Sequence, residues 1–179
     1  MGASVSDTAP RPDPSPDPTR AASRRRRRLI IAWGLVIGWA AVIWMLGSDP
    51  FSASSTSSDL LAWLGWLVSD LDPRSKYRLL ILIRKSAHFV EYAILAILAF
   101  RAALLSAPRN PISTAIWVTL FVVASLAGAD EFRQAFSPVR TGSPRDVLID
   151  LSGGTIALIG AALVSRRARP ARTMMRPSL

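Results

Sequence analysis

The residues of this chain that could do chemistry lie in three short polar stretches, within residues 84–92, 130–140 and 146–150. A single imidazole lies among several carboxylates, which supplies a general base and candidate acids for proton transfer. The same carboxylates could bind Mg²⁺ or Ca²⁺ through oxygen atoms, or hold a polar ligand without reacting with it. The candidate site residues are Lys85, His88, Glu91, Tyr92, Asp130, Glu131, Gln134, Arg140, Asp146 and Asp150.

Helical spacing would gather these residues onto common faces. Lys85, His88 and Tyr92 are three and four residues apart, which places them on one side of a helix. Asp146 and Asp150 are also four residues apart, and small residues follow at every fourth position, a pattern that lets transmembrane helices approach closely. These small residues are Gly153, Ala157 and Ala161. The pattern predicts that the acidic face of the last helix points into a bundle.

Composition restricts the chemistry further. The 179 residues include no cysteine and one histidine, which excludes disulfides, thiolate metal sites, cysteine nucleophiles and multi-histidine zinc sites. The sequence contains no glycine-rich phosphate loop, no His-Glu-x-x-His motif and no recognisable nucleophile motif. We therefore predict neither a resident metal ion nor a cofactor.

The elements that must position these residues are four apolar segments, at residues 29–46, 86–105, 112–129 and 147–164. Half of the chain is hydrophobic and 19% is charged, against roughly 25% charged residues in ordinary soluble domains. The first segment carries no charge and would be about 27 Å long as a helix, close to the thickness of the hydrocarbon core. Trp33 and Trp44 lie near its two ends, where indoles prefer the headgroup level. Since no region alternates with period two, we predict an all-α polytopic membrane protein, a bundle of four transmembrane helices.

The ends of the helices have their own signals. Asp72-Pro73, Asn110-Pro111 and Ser143-Pro144 are each typical of a helix start. A cleaved signal peptide is the alternative for the first apolar segment, but that segment is longer than the about 7–15 apolar residues of a signal peptide. We therefore expect an uncleaved first span.

The distribution of charge predicts the orientation of the bundle. If the N-terminus is cytoplasmic, that side carries 14 of the 22 basic residues and three of the 12 acidic residues, in agreement with the positive-inside rule. Both termini are therefore predicted to be cytoplasmic. We expect a disordered proline-rich and then arginine-rich tail at residues 1–28, the membrane domain at 29–164 and a basic tail at 165–179. The arginines then anchor the topology and contact membrane lipid, and nucleic acid is not an expected partner.

This orientation would bring the three polar stretches to one level. The second and fourth spans enter the membrane from outside and the third leaves toward the outside, so all three stretches lie at the outer interface. A lone ionised side chain costs roughly 2.5–3.5 kcal/mol at the centre of a bilayer. We therefore expect the acids to face one another, together with the basic residues Lys85, Arg133, Arg140 and Arg145.

Structural roles are an alternative for several of these residues. Asp146 fits the third helical position of a capping box, and Lys85 with Arg84 fits the headgroup boundary. His88 fits a structural histidine that is hydrogen-bonded to a carboxylate. Glu131, at the end of a span among polar residues, fits a solvated interface.

Three motifs carry a resemblance to a known family. Residues 84–92 read Arg-Lys-Ser-Ala-His-Phe-Val-Glu-Tyr, residues 130–136 read Asp-Glu-Phe-Arg-Gln-Ala-Phe, and residues 146–153 read Asp-Val-Leu-Ile-Asp-Leu-Ser-Gly. Together with Arg140 they resemble the VanZ-like family, over roughly Leu29 to Val164. The resemblance implies a multi-pass protein of the bacterial plasma membrane and an association with resistance to teicoplanin-type glycopeptides. It implies no particular reaction.

Two classes of function fit these observations. In the first, which we favour, a non-enzymatic envelope protein uses the outer polar residues to bind a lipid-linked cell-wall precursor or a glycopeptide. Residues 60–71, with Trp63 and Trp66, then fit an interfacial helix over that site, or else a tightly folded connecting loop. In the second class, a membrane-embedded enzyme acts on a lipid or cell-wall precursor with His88 and the carboxylates as acid, base or metal-binding groups. A transporter is disfavoured because, Arg101 apart, the inner half has no polar path.

Overall fold

Four long helices make up the residues that the structure describes, which are 18–48, 65, 69–107, 111–136 and 144–167. The structure is a computed structural model. Its helices are α1 (Pro18–Leu46), α2 (Pro73–Ser106), α3 (Pro111–Ala135) and α4 (Pro144–Arg167). Each is long and apolar enough to cross a membrane, and no strand occurs in the described ranges. The predicted all-α bundle of four spanning helices is confirmed.

Each of the four helices begins at a proline. Proline suits the first turn because its missing N–H would have no partner there and its fixed φ is already helical. At the start of α2 the Asp72 carboxylate accepts hydrogen bonds from the backbone N–H groups of Arg74 and Ser75, at 3.0 and 3.3 Å. Hydrogen bonds from Ser75, from its side chain first and then its backbone, lower the pKa of Asp72. The starts predicted for the second, third and fourth helices are confirmed.

The first helix begins earlier than predicted. We expect disorder for residues 1–28, whereas α1 starts at Pro18 and includes the five consecutive arginines Arg24–Arg28. Arginine is a good helix former, and once the apolar segment has nucleated a helix each added residue gains a backbone hydrogen bond. The arginines therefore extend the first span instead of ending it. Residues 1–17 lie outside the described part of the chain.

The longest helix, α2, carries the first polar stretch. Its 34 residues correspond to about 51 Å of helix, against about 30 Å for the hydrocarbon core of a bilayer. It therefore extends well beyond the predicted span of 86–105, and its first turns, residues 73–84, precede that span. The other three predicted spans lie within α1, α3 and α4.

The central position in the bundle belongs to α2, which packs against each of the other helices. It runs parallel to α4, since Lys85 and His88 of α2 lie beside Asp146 and Asp150 of α4 in the same order. Parallel packing of helices that are not consecutive requires the chain to cross the bundle once between them, which α3 does. The second and fourth spans therefore start at the same end of the bundle, as predicted.

The first helix runs antiparallel to α2. Trp39 Nε1 donates a hydrogen bond to the Glu91 carbonyl oxygen at 2.9 Å, and Trp33 Nε1 donates to Ser106 Oγ at 3.1 Å. A higher number on α1 thus pairs with a lower number on α2. At its C-terminal end α1 reaches Asp130 of α3, against which Gly47 is packed.

These directions give the bundle two distinct ends. We call the end with Lys85, Asp130 and Asp146 the polar end, and the end with Arg24–Arg28 and Arg166–Arg167 the arginine end. The N-terminal end of α1 and the C-terminal end of α4 both lie at the arginine end. The charge distribution predicts that the arginine end is cytoplasmic.

Glycines allow α4 to lie directly against α2. A Cβ added at Gly153 would overlap the backbone of Phe89, including its carbonyl oxygen, and one added at Gly154 would overlap Val123 of α3. Ala157 and Ala161 continue the stripe and pack against the buried cores of the bundle. The close approach predicted from these small residues is confirmed, and it is what brings the polar residues of α2 and α4 within reach of each other.

We expect Gly153→Ala to destabilise the bundle, since α2 and α4 must separate to admit the methyl group. Overpacking costs typically about 1–3 kcal/mol, as much as or more than the about 1 kcal/mol that alanine gains over glycine in a helix. Gly160→Ala is the matched control, because nothing lies within 4 Å of a Cβ added there. Thermal unfolding in detergent should give a lower midpoint for G153A alone. Equal midpoints would contradict the close packing of these two helices.

The orientation is tested with single cysteines, which the chain lacks naturally. Ala135 is exposed at the polar end and Arg167 is exposed at the arginine end, and each is replaced by cysteine in a separate variant. We expect a membrane-impermeant maleimide to label A135C in intact cells and R167C only after lysis, because the arginine-rich end is retained in the cytoplasm. The cysteine-free parent is the control. The reverse pattern of labelling would mean that the polar end, and not the arginine end, is cytoplasmic.

Candidate functional site

Two side-chain pairs connect α2 to α4 at the polar end. Lys85 Nζ lies 3.2 Å from Asp146 Oδ1, and His88 Nδ1 lies 3.4 Å from Asp150 Oδ1. The second pair follows the first by three residues on α2 and by four on α4, so the two parallel helices repeat the contact about one turn further along. Both acids of α4 therefore face α2, and Lys85 pairs with one of them.

The two pairs differ in their environment. The Lys85 and Asp146 side chains are 41% and 35% exposed, and a hydrogen bond joins them. The His88 and Asp150 side chains are 17% and 4% exposed. Although they approach closely, His88 Nδ1 and Asp150 Oδ1 are both buried without a hydrogen-bond partner. The Lys85–Asp146 pair is therefore hydrogen-bonded, whereas the His88–Asp150 pair is in contact at 3.4 Å without a hydrogen bond of good geometry.

A third group of polar contacts surrounds Asp130 at the end of α3. Its Oδ1 accepts a hydrogen bond from Arg133 Nη2 at 2.6 Å, and its Oδ2 accepts one from Gln134 Nε2 at 2.7 Å. The Asp130 side chain is 2% exposed. A buried carboxylate is tolerated when both of its oxygens are bonded and a cation balances its charge. Residues three and four positions further along the same helix meet both requirements.

The C-terminal end of α1 covers this group. Gly47 lies so close that an added Cβ would overlap the side chains of Asp130 and Arg133. The Arg133 guanidinium lies 4.4 Å from the centre of the Trp44 ring, a cation–π distance. A larger residue at position 47 would push α1 away from the polar end.

The phenol of Tyr92 lies among the acids. Tyr92 is fully buried, and its hydroxyl has no hydrogen-bond partner within the described residues. Asp150, Asp130, Glu91 and Glu131 are all close enough to interact with it electrostatically. Acids of α2, α3 and α4 therefore act electrostatically on one residue of the first polar stretch. We use the name polar cluster for nine of the ten candidate residues, namely Lys85, His88, Glu91, Tyr92, Asp130, Glu131, Gln134, Asp146 and Asp150.

Direct contacts join six of the candidate residues in pairs, Lys85 with Asp146, His88 with Asp150 and Asp130 with Gln134. Arg140 lies outside the described residues, as do residues 60–64 and 66–68 of the predicted interfacial helix. Asp146, for which a capping role is the alternative, directs its carboxylate to Lys85. The histidine and the carboxylates of the described helices include no group of three or more arranged as metal ligands.

The structure shows contacts at the site that the sequence does not predict. The sequence predicts no role for Trp39, whose indole N–H donates a hydrogen bond to the backbone carbonyl of Glu91. Trp33 and Trp44 are predicted interface anchors, and the structure adds a specific partner for each, Ser106 and Arg133. Three tryptophans spaced along one span are the sequence pattern that could have indicated these contacts, since each indole can place its N–H or its ring against a neighbouring helix.

Comparison with protein families connects this geometry to a group of proteins. A model described as VanZ/LLP1 matches residues 32–165. The chain belongs to the VanZ/LLP1 family. The match starts within α1 and ends within α4, so it includes every residue of the polar cluster. Comparisons with curated proteins and with solved structures give no match. The resemblance predicted from the three motifs is confirmed.

Within this VanZ/LLP1 domain, we expect Asp130 to matter more for stability than Asp146. Asp130→Ala leaves Gln134 and Arg133 without their buried acceptor, and breaking a buried pair in this way costs about 3–5 kcal/mol. Asp146→Ala removes one partner of a half-exposed pair, which is worth about 0–1 kcal/mol. Thermal unfolding of the two variants in detergent should give a much larger decrease for D130A. Similar decreases would contradict a stabilising role for the hydrogen bonds that the Asp130 carboxylate accepts at the end of α3.

Proposed function

We propose that this VanZ/LLP1-family membrane protein binds a ligand at the outer face of the bacterial plasma membrane through its polar cluster. The ligand class that we propose is a lipid-linked cell-wall precursor or a glycopeptide. By binding or modifying such a ligand, the protein would contribute to resistance to teicoplanin-type glycopeptides. The resistance role comes from the family resemblance, whereas the proposed site comes from the geometry of the polar cluster.

The observation that carries the proposal is the set of buried polar atoms without partners. His88 Nδ1, Tyr92 OH and Asp150 Oδ1 are all inaccessible, and none has a hydrogen-bond partner within the described residues. An unsatisfied buried polar group costs about 1–3 kcal/mol, so a protein retains several in one place only when something offsets the cost. An ordered water molecule between these atoms and a ligand, or a ligand group that reaches them when the helices move apart, would do so.

The contrast with Asp130 supports a division of roles. Both oxygens of Asp130 are bonded within α3, as expected for a structural carboxylate. His88 and Asp150 approach each other but keep unused bonding capacity. Ionisable groups within membrane spans mark functional sites by default, and those that remain unsatisfied are the ones with capacity to spare for a ligand.

A second candidate function is catalysis on a lipid or cell-wall precursor. The 3.4 Å separation of His88 Nδ1 and Asp150 Oδ1 is the observation that favours it, because a carboxylate that orients an imidazole is a recurrent arrangement in general-base catalysis. In that case His88 would remove a proton from the attacking group while Asp150 holds the ring. The absence of a nucleophile motif in the sequence makes binding the better-supported function.

The test combines a phenotype with direct binding. We expect His88→Ala and Asp150→Ala to lower teicoplanin resistance in cells that depend on this protein, because both remove a group with unused bonding capacity. For the purified proteins, thermal shifts with teicoplanin and with a lipid-linked muropeptide should show apparent affinity weakened by about tenfold or more, which corresponds to about 1.4 kcal/mol.

Asp70→Asn is the matched control, since Asp70 is exposed and its side chain accepts a hydrogen bond from Ser69 outside the helices. Wild-type resistance together with wild-type binding by H88A and D150A would contradict the proposal. If the wild-type protein instead converts the lipid-linked muropeptide to a new product and H88A does not, the catalytic function replaces the binding function.

A further inference from the structure

An open groove lies between α1 and α3, beside the polar cluster. Its volume is about 660 Å³ and it is widely open to the surroundings; its lining includes Ile37, Ala41 and Trp44 of α1, Ser48 just beyond α1, and Leu126 and Arg133 of α3. The groove exists because α1 packs mainly against α2 and makes little contact with α3 along its length.

The length of the groove matches one leaflet of a membrane. Its α1 wall extends from Ile37 to Ser48, which is about 16 Å of helix at 1.5 Å per residue. Half of a hydrocarbon core of about 30 Å is about 15 Å. The wall is apolar except at Ser48, and Arg133 lies opposite at the polar end. The groove therefore has the polarity of one lipid molecule: an apolar length with a polar head.

Arg133 supplies the polar contact at the head of the groove. Its Nη2 is bonded to Asp130 and its guanidinium lies over the Trp44 ring, so the guanidinium is held at the groove edge. Its Nε is buried and has no hydrogen-bond partner within the described residues, whereas the side chain as a whole is 27% exposed. A guanidinium has five N–H donors and binds phosphate oxygens well. The N–H groups on the exposed side of the guanidinium are the ones that can reach an acceptor in the groove.

We infer that the groove between α1 and α3 binds the hydrocarbon chain of a single-chain lipid phosphate, with the phosphate at Arg133. The inference rests on the proposed function in one respect, namely that the ligand of the polar cluster is lipid-linked. It deepens that function by assigning the chain and the phosphate to a site of their own. The remaining part of the ligand then lies over the polar cluster, which shares the Asp130–Arg133 contact with the groove.

The test uses purified protein in phosphatidylcholine nanodiscs and three probes. Hexadecyl phosphate has both the chain and the phosphate, hexadecanol has the chain alone, and inorganic phosphate has the head alone. We expect hexadecyl phosphate to raise the midpoint of thermal unfolding at lower concentrations than either of the other two. An equal effect of hexadecanol would remove the role of Arg133, and an equal effect of inorganic phosphate would remove the role of the groove.

Variants assign the effect to the groove. Ala41→Trp fills the apolar length and Arg133→Gln removes the charge, so each should weaken the apparent affinity for hexadecyl phosphate by about tenfold or more. Ala124→Trp is the matched control, since Ala124 is exposed on α3 and does not line the groove. If A41W does not fold, Ala41→Leu provides the smaller obstruction. If R133Q does not fold because Asp130 loses its cation, Arg133→Lys keeps that cation and removes the planar guanidinium. Wild-type affinity in either the Ala41 variant or the Arg133 variant would overturn the inference.

Further outcomes of these experiments distinguish a failure of the groove inference from a failure of the proposed function. A dimer that dissociates when Ala41 is replaced would mean that a second copy of the chain occupies the groove, which would overturn the inference. If hexadecyl phosphate has no effect on the wild-type protein while H88A and D150A still lose teicoplanin resistance, the groove inference fails and the proposed function stands. If hexadecyl phosphate binds at the groove but H88A and D150A retain resistance, the proposed function fails instead.

Discussion

The cost of placing charge in hydrocarbon is the constraint on which this structure depends. Every described acid of the polar cluster lies on a helix that is apolar along most of its length, and an ionised side chain that faces lipid is unfavourable by several kcal/mol near the bilayer centre. The acids must therefore face other helices. They can do so only because Gly153 lets α4 lie directly against the backbone of α2 at Phe89. The two pairs between Lys85, His88, Asp146 and Asp150 follow from that contact.

Within the polar cluster, the Asp130 carboxylate has its hydrogen bonds made, whereas His88, Tyr92 and Asp150 each have a buried atom without one. Asp130 has both oxygens bonded by residues of its own helix, which fixes the end of α3 without help from the rest of the bundle. Across the cluster, the imidazole of His88 and the carboxylate of Asp150 depend on two different helices and retain unused atoms. Local bonding suits a structural role, since it is insensitive to small movements between helices. Bonding across helices is sensitive to such movements, which suits a site that responds to a ligand.

The first helix connects the polar cluster to the lipid environment. Its indoles bond α2 at Glu91 and Ser106, and its C-terminal end covers the Asp130–Arg133 pair with Trp44 and Gly47. Because α1 makes its principal contacts with α2, the surface between α1 and α3 stays open. Arg133 is bonded to Asp130 and also lines the groove between α1 and α3, so one guanidinium borders both the polar cluster and the proposed lipid site.

Sequence alone determined the four spanning helices of the described residues, three of their starts and the faces that carry the polar residues. These depend on hydropathy, on proline chemistry and on the fixed 3.6-residue period, all of which are local. It also placed Lys85 and His88 on the same face as Tyr92. Only the tertiary structure decided that Lys85 meets Asp146, that Asp130 is bonded within α3, and that Trp44 lies under Arg133. Such pairings depend on how far each helix is shifted and rotated against its neighbours, and packing between distant segments sets those offsets. The early start of α1 at Pro18 has a similar origin, because a helix anchored in an apolar span continues outward through residues that would not form one alone.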